Sequence, residues 1–261
     1  MHTIDKMSNG NSNTAKRTEY YIIRYGNFAT NGNIKLLYGT LSLLLGVSDY
    51  MTRGSSDCLV ILVGSTTIWS GVEFYLHLSG TRIIKPMKLI LRGYTYTTPL
   101  WVSLVVQGLQ EGGLITTLGL YFGDRIWDPP SIFMFHVFLL FSIINVCSQT
   151  NLPKSSKRLV NTNASMGFIG FVTTYDIYVL ATADRYIYNR QLSMLLVMIY
   201  FSAWWTCATW WVGSRGVEVI DPNVNLIEYR SSMTTFMVLT YDVVFEIGFA
   251  YLFFYNMFIS W

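Results

Sequence analysis

Apolar stretches long enough to cross the hydrocarbon core of a bilayer, about 20 residues at roughly 1.5 Å each, recur seven times along the chain. They cover 34–51, 58–80, 93–120, 131–149, 166–183, 192–212 and 233–260. Turn chemistry or charge fills the intervals: Thr52 to Asp57, Thr81 to Lys88, Asp124 to Pro130, Asn151 to Ser165, Asp184 to Gln191, and Gly213 through Asp221 and Pro222 to Arg230. The pattern predicts an all-α, polytopic membrane protein, with a polar N-terminal segment over 1–33 and a seven-helix transmembrane bundle over 34–261. The N-terminal segment has no apolar region after a basic start, so a cleavable signal peptide is not expected. The stretch from 93 to 130 is long for one helix and is interrupted by Glu111-Gly112-Gly113. It reads either as a helix with an ordered extension or as a helix and a half-helix.

Composition agrees with this pattern. The chain is 52% hydrophobic and 13% charged with a mean hydropathy of +0.37, which excludes a soluble enzyme of ordinary make-up and a disordered chain. A formal net charge of +3, scattered along the sequence, excludes nucleic acid as a partner. Cys58, Cys147 and Cys207 all fall in apolar stretches and read as buried small hydrophobes, neither a disulfide framework nor a metal site.

In a seven-span arrangement Lys6, Lys16, Arg17, Arg24, Arg82, Lys85, Lys88, Lys154, Lys157 and Arg158 share one side, and Arg53, Arg125, Arg185 and Arg190 the other. The positive-inside rule then places the N-terminus in the cytoplasm. The glycosylation sequon Asn163-Ala164-Ser165 lies on the same basic side and argues weakly for the opposite orientation.

Ionisable side chains inside spans are costly and mark functional positions. Here they are Glu73 and His77 in the second span, Arg92 at the entry to the third, His136 in the fourth, Asp176 in the fifth, and Asp242 and Glu246 in the seventh. Asp242 and Glu246 share one helical face at i, i+4 spacing, so one of the two is expected to hold a proton. Glu73 and His77 share a face in the same way and would present an acid and a base to one cavity. Three histidines on separate helices without a cysteine partner do not make a metal site. Of the Trp204-Trp205 and Trp210-Trp211 pairs, the second reads as a membrane-interface belt and the first as a pocket lining. No phosphate loop, nucleophile elbow or repeated histidine box is present, so the chain reads as a non-enzyme.

Three segments resemble the microbial-type rhodopsins. The last span, Phe236 to Leu252 with Asp242, Glu246 and Gly248-Phe249, is similar to that family's seventh helix, with Glu246 where the retinal-bearing lysine stands. Trp210-Trp211-Val212-Gly213-Ser214-Arg215-Gly216 is similar to the end of its sixth helix, and Thr97-Thr98-Pro99-Leu100 to its third. The resemblance implies a retinal-type pocket near Glu246, Trp204, Trp205 and Thr98. It also implies no covalent retinal, since a carboxylate forms no Schiff base and no lysine except Lys35 lies in a span. The family's third-helix counterion falls on Gly93, so the carboxylate and the cation it would balance are lost together. Heliorhodopsins, an inverted branch, share the inferred orientation and are similar over 70–80, but their long first loop has no counterpart here.

Two readings follow. In one, the protein is an ion channel or transporter-like protein, with a proton or cation path through Glu73, His77, Asp176, Asp242 and Glu246 and with Arg92 setting the field at one mouth. In the other it is a non-transporting opsin-related partner, sensory subunit or membrane scaffold. No covalent cofactor is expected, and the pocket leaves open retinal or another apolar ligand as a non-covalent occupant. The expected partners are the lipid bilayer and either further copies of this chain or a retinal-binding relative.

Overall fold

The computed structural model describes residues 18–25, 31–82, 84–148, 154–221, 224–227 and 232–260. Lys6, Lys16, Arg17 and Arg230 lie outside these residues.

Seven continuous helices account for most of the described chain. The first, second, fourth, fifth and sixth are Gly32–Arg53, Asp57–Leu78, Pro129–Cys147, Asn163–Thr182 and Arg185–Trp211. The third runs from Leu100–Gly108 through a π-helical turn, Leu109–Gly113, into Leu114–Gly123. The seventh, Ser232–Phe258, is built the same way around a π-helical stretch, Asp242–Phe249. Polar residues at the predicted breaks set the ends. Asn31, Asp128, Thr162 and Asp184 each accept a hydrogen bond from a backbone N–H of the turn they open, and Gly54 ends the first helix in the left-handed conformation.

Five helices, the second, fourth, fifth, sixth and seventh, are long and apolar enough to cross a membrane. The first and third are more polar, because Lys35 and Asp49 sit in one and Gln107, Gln110 and Glu111 in the other. Those groups point inward. Lys35, Asp49, Ser65, Glu73, Thr116 and Asp176 are almost wholly buried, whereas Leu43, Leu44, Val63, Leu140, Phe171 and Tyr178 are more than half exposed. A soluble domain buries such apolar side chains and exposes the polar ones; the inverse suits a lipid surround.

The third helix is the innermost. Between Leu114 and Gly123 every residue but Ile115 is buried. Glycine lets it approach the second helix: a β-carbon on Gly108 would lie 2.6 Å from the backbone nitrogen of Ser70, and one on Gly112 would lie 2.7 Å from Cβ of Trp69. Gly108 and Gly112, spaced as GxxxG, thus pack two helices of one chain.

The all-helical expectation needs correction at one end of the bundle. Strands β1 (Glu19–Tyr25), β4 (Lys154–Leu159), β5 (Arg215–Asp221) and β6 (Val224–Ile227) form an antiparallel sheet in the order β4-β1-β5-β6. They come from before the first helix, after the fourth and after the sixth, so they meet at one end. Ile22 of β1 pairs across to Arg158 and Val217, and Arg24 to Arg215, which sets these side chains on one face of the sheet. Ile22, Val160 and Val217 pack on Val238 and Leu239 of the seventh helix.

A two-stranded hairpin is formed by β2 (Lys88–Leu91) and β3 (Tyr94–Thr97), and its second strand occupies the start of the expected third span, so that helix begins at Leu100. Its turn places Arg92 at φ 50° and Gly93 at φ 82°, the two left-handed central positions of a tight hairpin. The cysteine expectation holds for Cys58 alone: Cys147 and Cys207 are exposed on outward helix faces.

Candidate functional site

The sheet sends arginines down into the bundle, where carboxylates meet them. Arg158 of β4 clamps Glu246 with two bonds, of 3.0 and 2.6 Å, and reaches Asp242 at 2.7 Å. Arg215 of β5 bonds to the other oxygen of Asp242 and to the Thr206 hydroxyl at 2.9 Å. Arg82, just past the second helix, makes a second clamp on Glu111, at 2.7 and 2.9 Å, and also pairs with Glu73. Arg24 of β1 adds a bond of 2.9 Å to Glu111. Gln107 donates to Glu111 and accepts from the buried Lys35, and the Trp69 indole donates to Glu111 at 3.3 Å. Planar two-bond pairing of this kind is what guanidinium groups do best.

Three of the four carboxylates lie in the π-helical turns, Glu111 in the third helix and Asp242 and Glu246 in the seventh. A π turn widens the helix locally and is frequent at functional positions. Burial disfavours the charged arginines, but neighbouring carboxylates decide the balance. Glu111 and Glu73 hold Arg82 above its usual range, and Glu246 and Asp242 do the same for Arg158. At Arg215 burial prevails over Asp242, and with Arg24 and Arg158 nearby its pKa is lowered.

Below these pairs lies a cavity of about 510 Å³, within the range of small-molecule sites. Its walls include Trp69, Leu114, Ile115, Ile169, Phe201 and Trp205, and Arg24, Arg82, Arg158, Arg215, Glu111, Asp242 and Glu246 line it as well. Two of its lining groups keep unused hydrogen-bonding capacity: the Ser202 hydroxyl, 3% exposed, and Nε of Arg215. Further along the bundle the interior is apolar, filled by Leu118, Phe122, Met194, Met198, Leu252 and Phe254. Beyond that core Gln191 donates to Asn256 and Asn256 to Asp176, both at 2.7 Å. At the far end Arg53, Arg125 and Arg190 pair with Asp49, Asp57 and Asp124.

Of the residues singled out from sequence, Asp242, Glu246 and Trp205 line the cavity, and Glu73 joins them through Arg82. The others lie elsewhere. Trp204 is 52% exposed on the outer surface beside Tyr200. Thr98 bonds to Met87 and Ser103 where the hairpin meets the third helix. His77 accepts a hydrogen bond from the backbone of Ile84 and so braces the turn after the second helix. Arg92 is exposed at the hairpin tip, and Asp176 sits below the apolar core. Ala164 and Ser165 of the sequon line the cavity.

Arg24, Arg82 and Arg158, expected as charges that fix orientation, and Glu111, expected as a helix interruption, are site residues that the sequence alone does not single out. An acid in the middle of an apolar stretch, flanked by Gln107 and Gln110, was the available signal for Glu111. Among the described residues no group of three histidine, cysteine, aspartate or glutamate side chains is placed to hold a metal ion. Compared with known proteins, the chain matches no family model, and no curated protein or solved structure is significantly similar to it.

Proposed function

We propose that all seven helices cross a membrane and that the protein is an opsin-related binding protein, holding an apolar molecule without a covalent bond in the cavity beneath the sheet. The observation that carries this reading is the cavity of about 510 Å³ with Glu246 in its lining. The position that the rhodopsin resemblance equates with the retinal lysine faces a space of ligand size, and the Trp205 ring lies beside it. Ion conduction is the second reading, favoured by the buried carboxylates. It is set behind binding because Glu73, Glu111, Asp242 and Glu246 are each held by an arginine, and because an apolar core separates them from Asp176.

The test uses purified protein with all-trans retinal, followed by absorption and tryptophan fluorescence. Retinal quenches the wild type without a shifted visible band, while Glu246→Lys gains such a band. If neither protein responds, the cavity is not a retinal-type site. A proton flux in liposomes that Glu246→Gln abolishes would instead establish the ion path.

A further inference from the structure

The hairpin of β2 and β3 is fixed at the level where helices begin. Asn33, in the first turn of the first helix, holds the free edge of β2: its amide donates to the Ile90 carbonyl at 2.8 Å and accepts from the Ile90 N–H at 2.7 Å. At the base of the hairpin the buried Met87 donates its N–H to the hydroxyl of Ser103, one turn into the third helix, at 2.9 Å. The cross-strand pairs Leu89–Tyr96 and Leu91–Tyr94 set four apolar and aromatic side chains on one face, and Lys88, Ile90, Thr95 and Thr97 on the other. Leu89 packs where Gly32 has no side chain, since a β-carbon there would lie 2.6 Å from its Cδ2. Farther out on that face Leu91, Tyr94 and Tyr96 are 54%, 70% and 53% exposed, and the neighbouring helix ends turn Leu36, Leu78 and Trp101 outward as well.

Charge decides what such a face meets. No aspartate or glutamate occurs between Glu73 and Glu111. Within that stretch Lys85, Lys88 and Arg92 are exposed and make no ion pair among the described residues. Aromatic and aliphatic side chains on one face, rimmed by unpaired cations, suit the boundary between head groups and acyl chains of an acidic bilayer. A second copy of this chain docked symmetrically on the same face would set the three cations against their own counterparts. The positive-inside rule assigns this end of the bundle to the cytoplasm, whose leaflet carries the acidic lipids.

Resting on the membrane-spanning reading proposed above, we infer that the hairpin is a docking surface for acidic phospholipids. Leu91, Tyr94 and Tyr96 enter the boundary layer, and Lys85, Lys88 and Arg92 meet the lipid phosphates. The cavity and its occupant play no part in this contact.

Photo-crosslinking of the full chain in phosphatidylcholine nanodiscs tests this, with trace phosphatidylglycerol or phosphatidylcholine carrying a diazirine beside the glycerol. The acidic probe labels peptides of the hairpin about fivefold more than the neutral one, the factor that ~1 kcal/mol for one cation at the surface produces. Combining Lys85→Gln, Lys88→Gln and Arg92→Asn brings the two probes level; asparagine suits the left-handed turn position. Neutral-probe labelling that persists in this variant shows a hairpin still folded on the bilayer. Equal labelling of the wild-type hairpin by both probes overturns the preference for acidic lipid. A hairpin labelled by neither, while peptides bearing the outward Leu140 of the fourth helix are labelled, overturns the docking surface and leaves the membrane-spanning reading standing. Hairpin-to-hairpin crosslinks between two copies would give the face to a second chain instead, and labelling of neither region overturns the membrane-spanning reading itself.

Discussion

The two ends of the bundle use the same chemistry to different effect. At the far end Arg53 and Arg125 are close in space to Asp49, on the first helix and just after the third, and with Arg190 they staple neighbouring helix ends through Asp57 and Asp124. The Arg53 side chain is one-third exposed. Under the sheet, Arg24, Arg158 and Arg215 come from strands and reach carboxylates carried mid-helix on π turns, leaving a cavity and unsatisfied donors. Arginine–carboxylate pairing alone therefore marks no site. What distinguishes the sheet end is that its acids sit deep in helices and its cations arrive from outside the bundle.

Removing one arginine from each end breaks the comparison if the costs are equal. Arg158→Met leaves Glu246 buried with no cation and costs about 3–5 kcal/mol, seen as a large fall in melting temperature. Adding Glu246→Met recovers most of that loss, since the pair as a whole contributes little beyond its own desolvation. A smaller effect is expected for Gly112→Val, which forces the third helix away from Trp69 and costs about 1–3 kcal/mol by thermal unfolding in detergent. Smallest is Arg53→Ala at the far end, at no more than about 1 kcal/mol because the side chain is partly solvated. An Arg53 loss as large as that of Arg158 would erase the distinction between staple and site.

Most of the helix positions were legible in the hydropathy pattern, because several of the polar stretches between the apolar runs carry a residue that caps a helix. Asn31, Asp128, Thr162 and Asp184 do so in the structure. The sheet was not legible. In Glu19-Tyr-Tyr-Ile-Ile-Arg-Tyr25 the alternation is too short and too apolar on both faces to stand out, and its partners lie more than a hundred residues away. Tyr94 to Thr97 was absorbed into the third span, set at 93–120, although Arg92-Gly93 is a hairpin signal, and Lys88 to Leu91 just before it was left without an element. Within the site, sequence located the acids Glu73, Asp242 and Glu246 but assigned the arginines to the surface. Helical spacing shows which residues share a face, and it carries no information on where a strand folds back.

The order of the strands also governs how the molecule can be made. β1 precedes the other three strands in the chain, yet it lies between β4, which follows the fourth helix, and β5, which follows the sixth. It has no sheet neighbour until four helices have been synthesised after it, and the second arrives only after the sixth helix. During that interval Arg24 can already meet Glu111 of the third helix, while Asp242 and Glu246 are synthesised after Arg158 and Arg215. The two acids of the seventh helix thus meet a waiting counter-charge as they join the bundle, on a sheet whose strands have already been made.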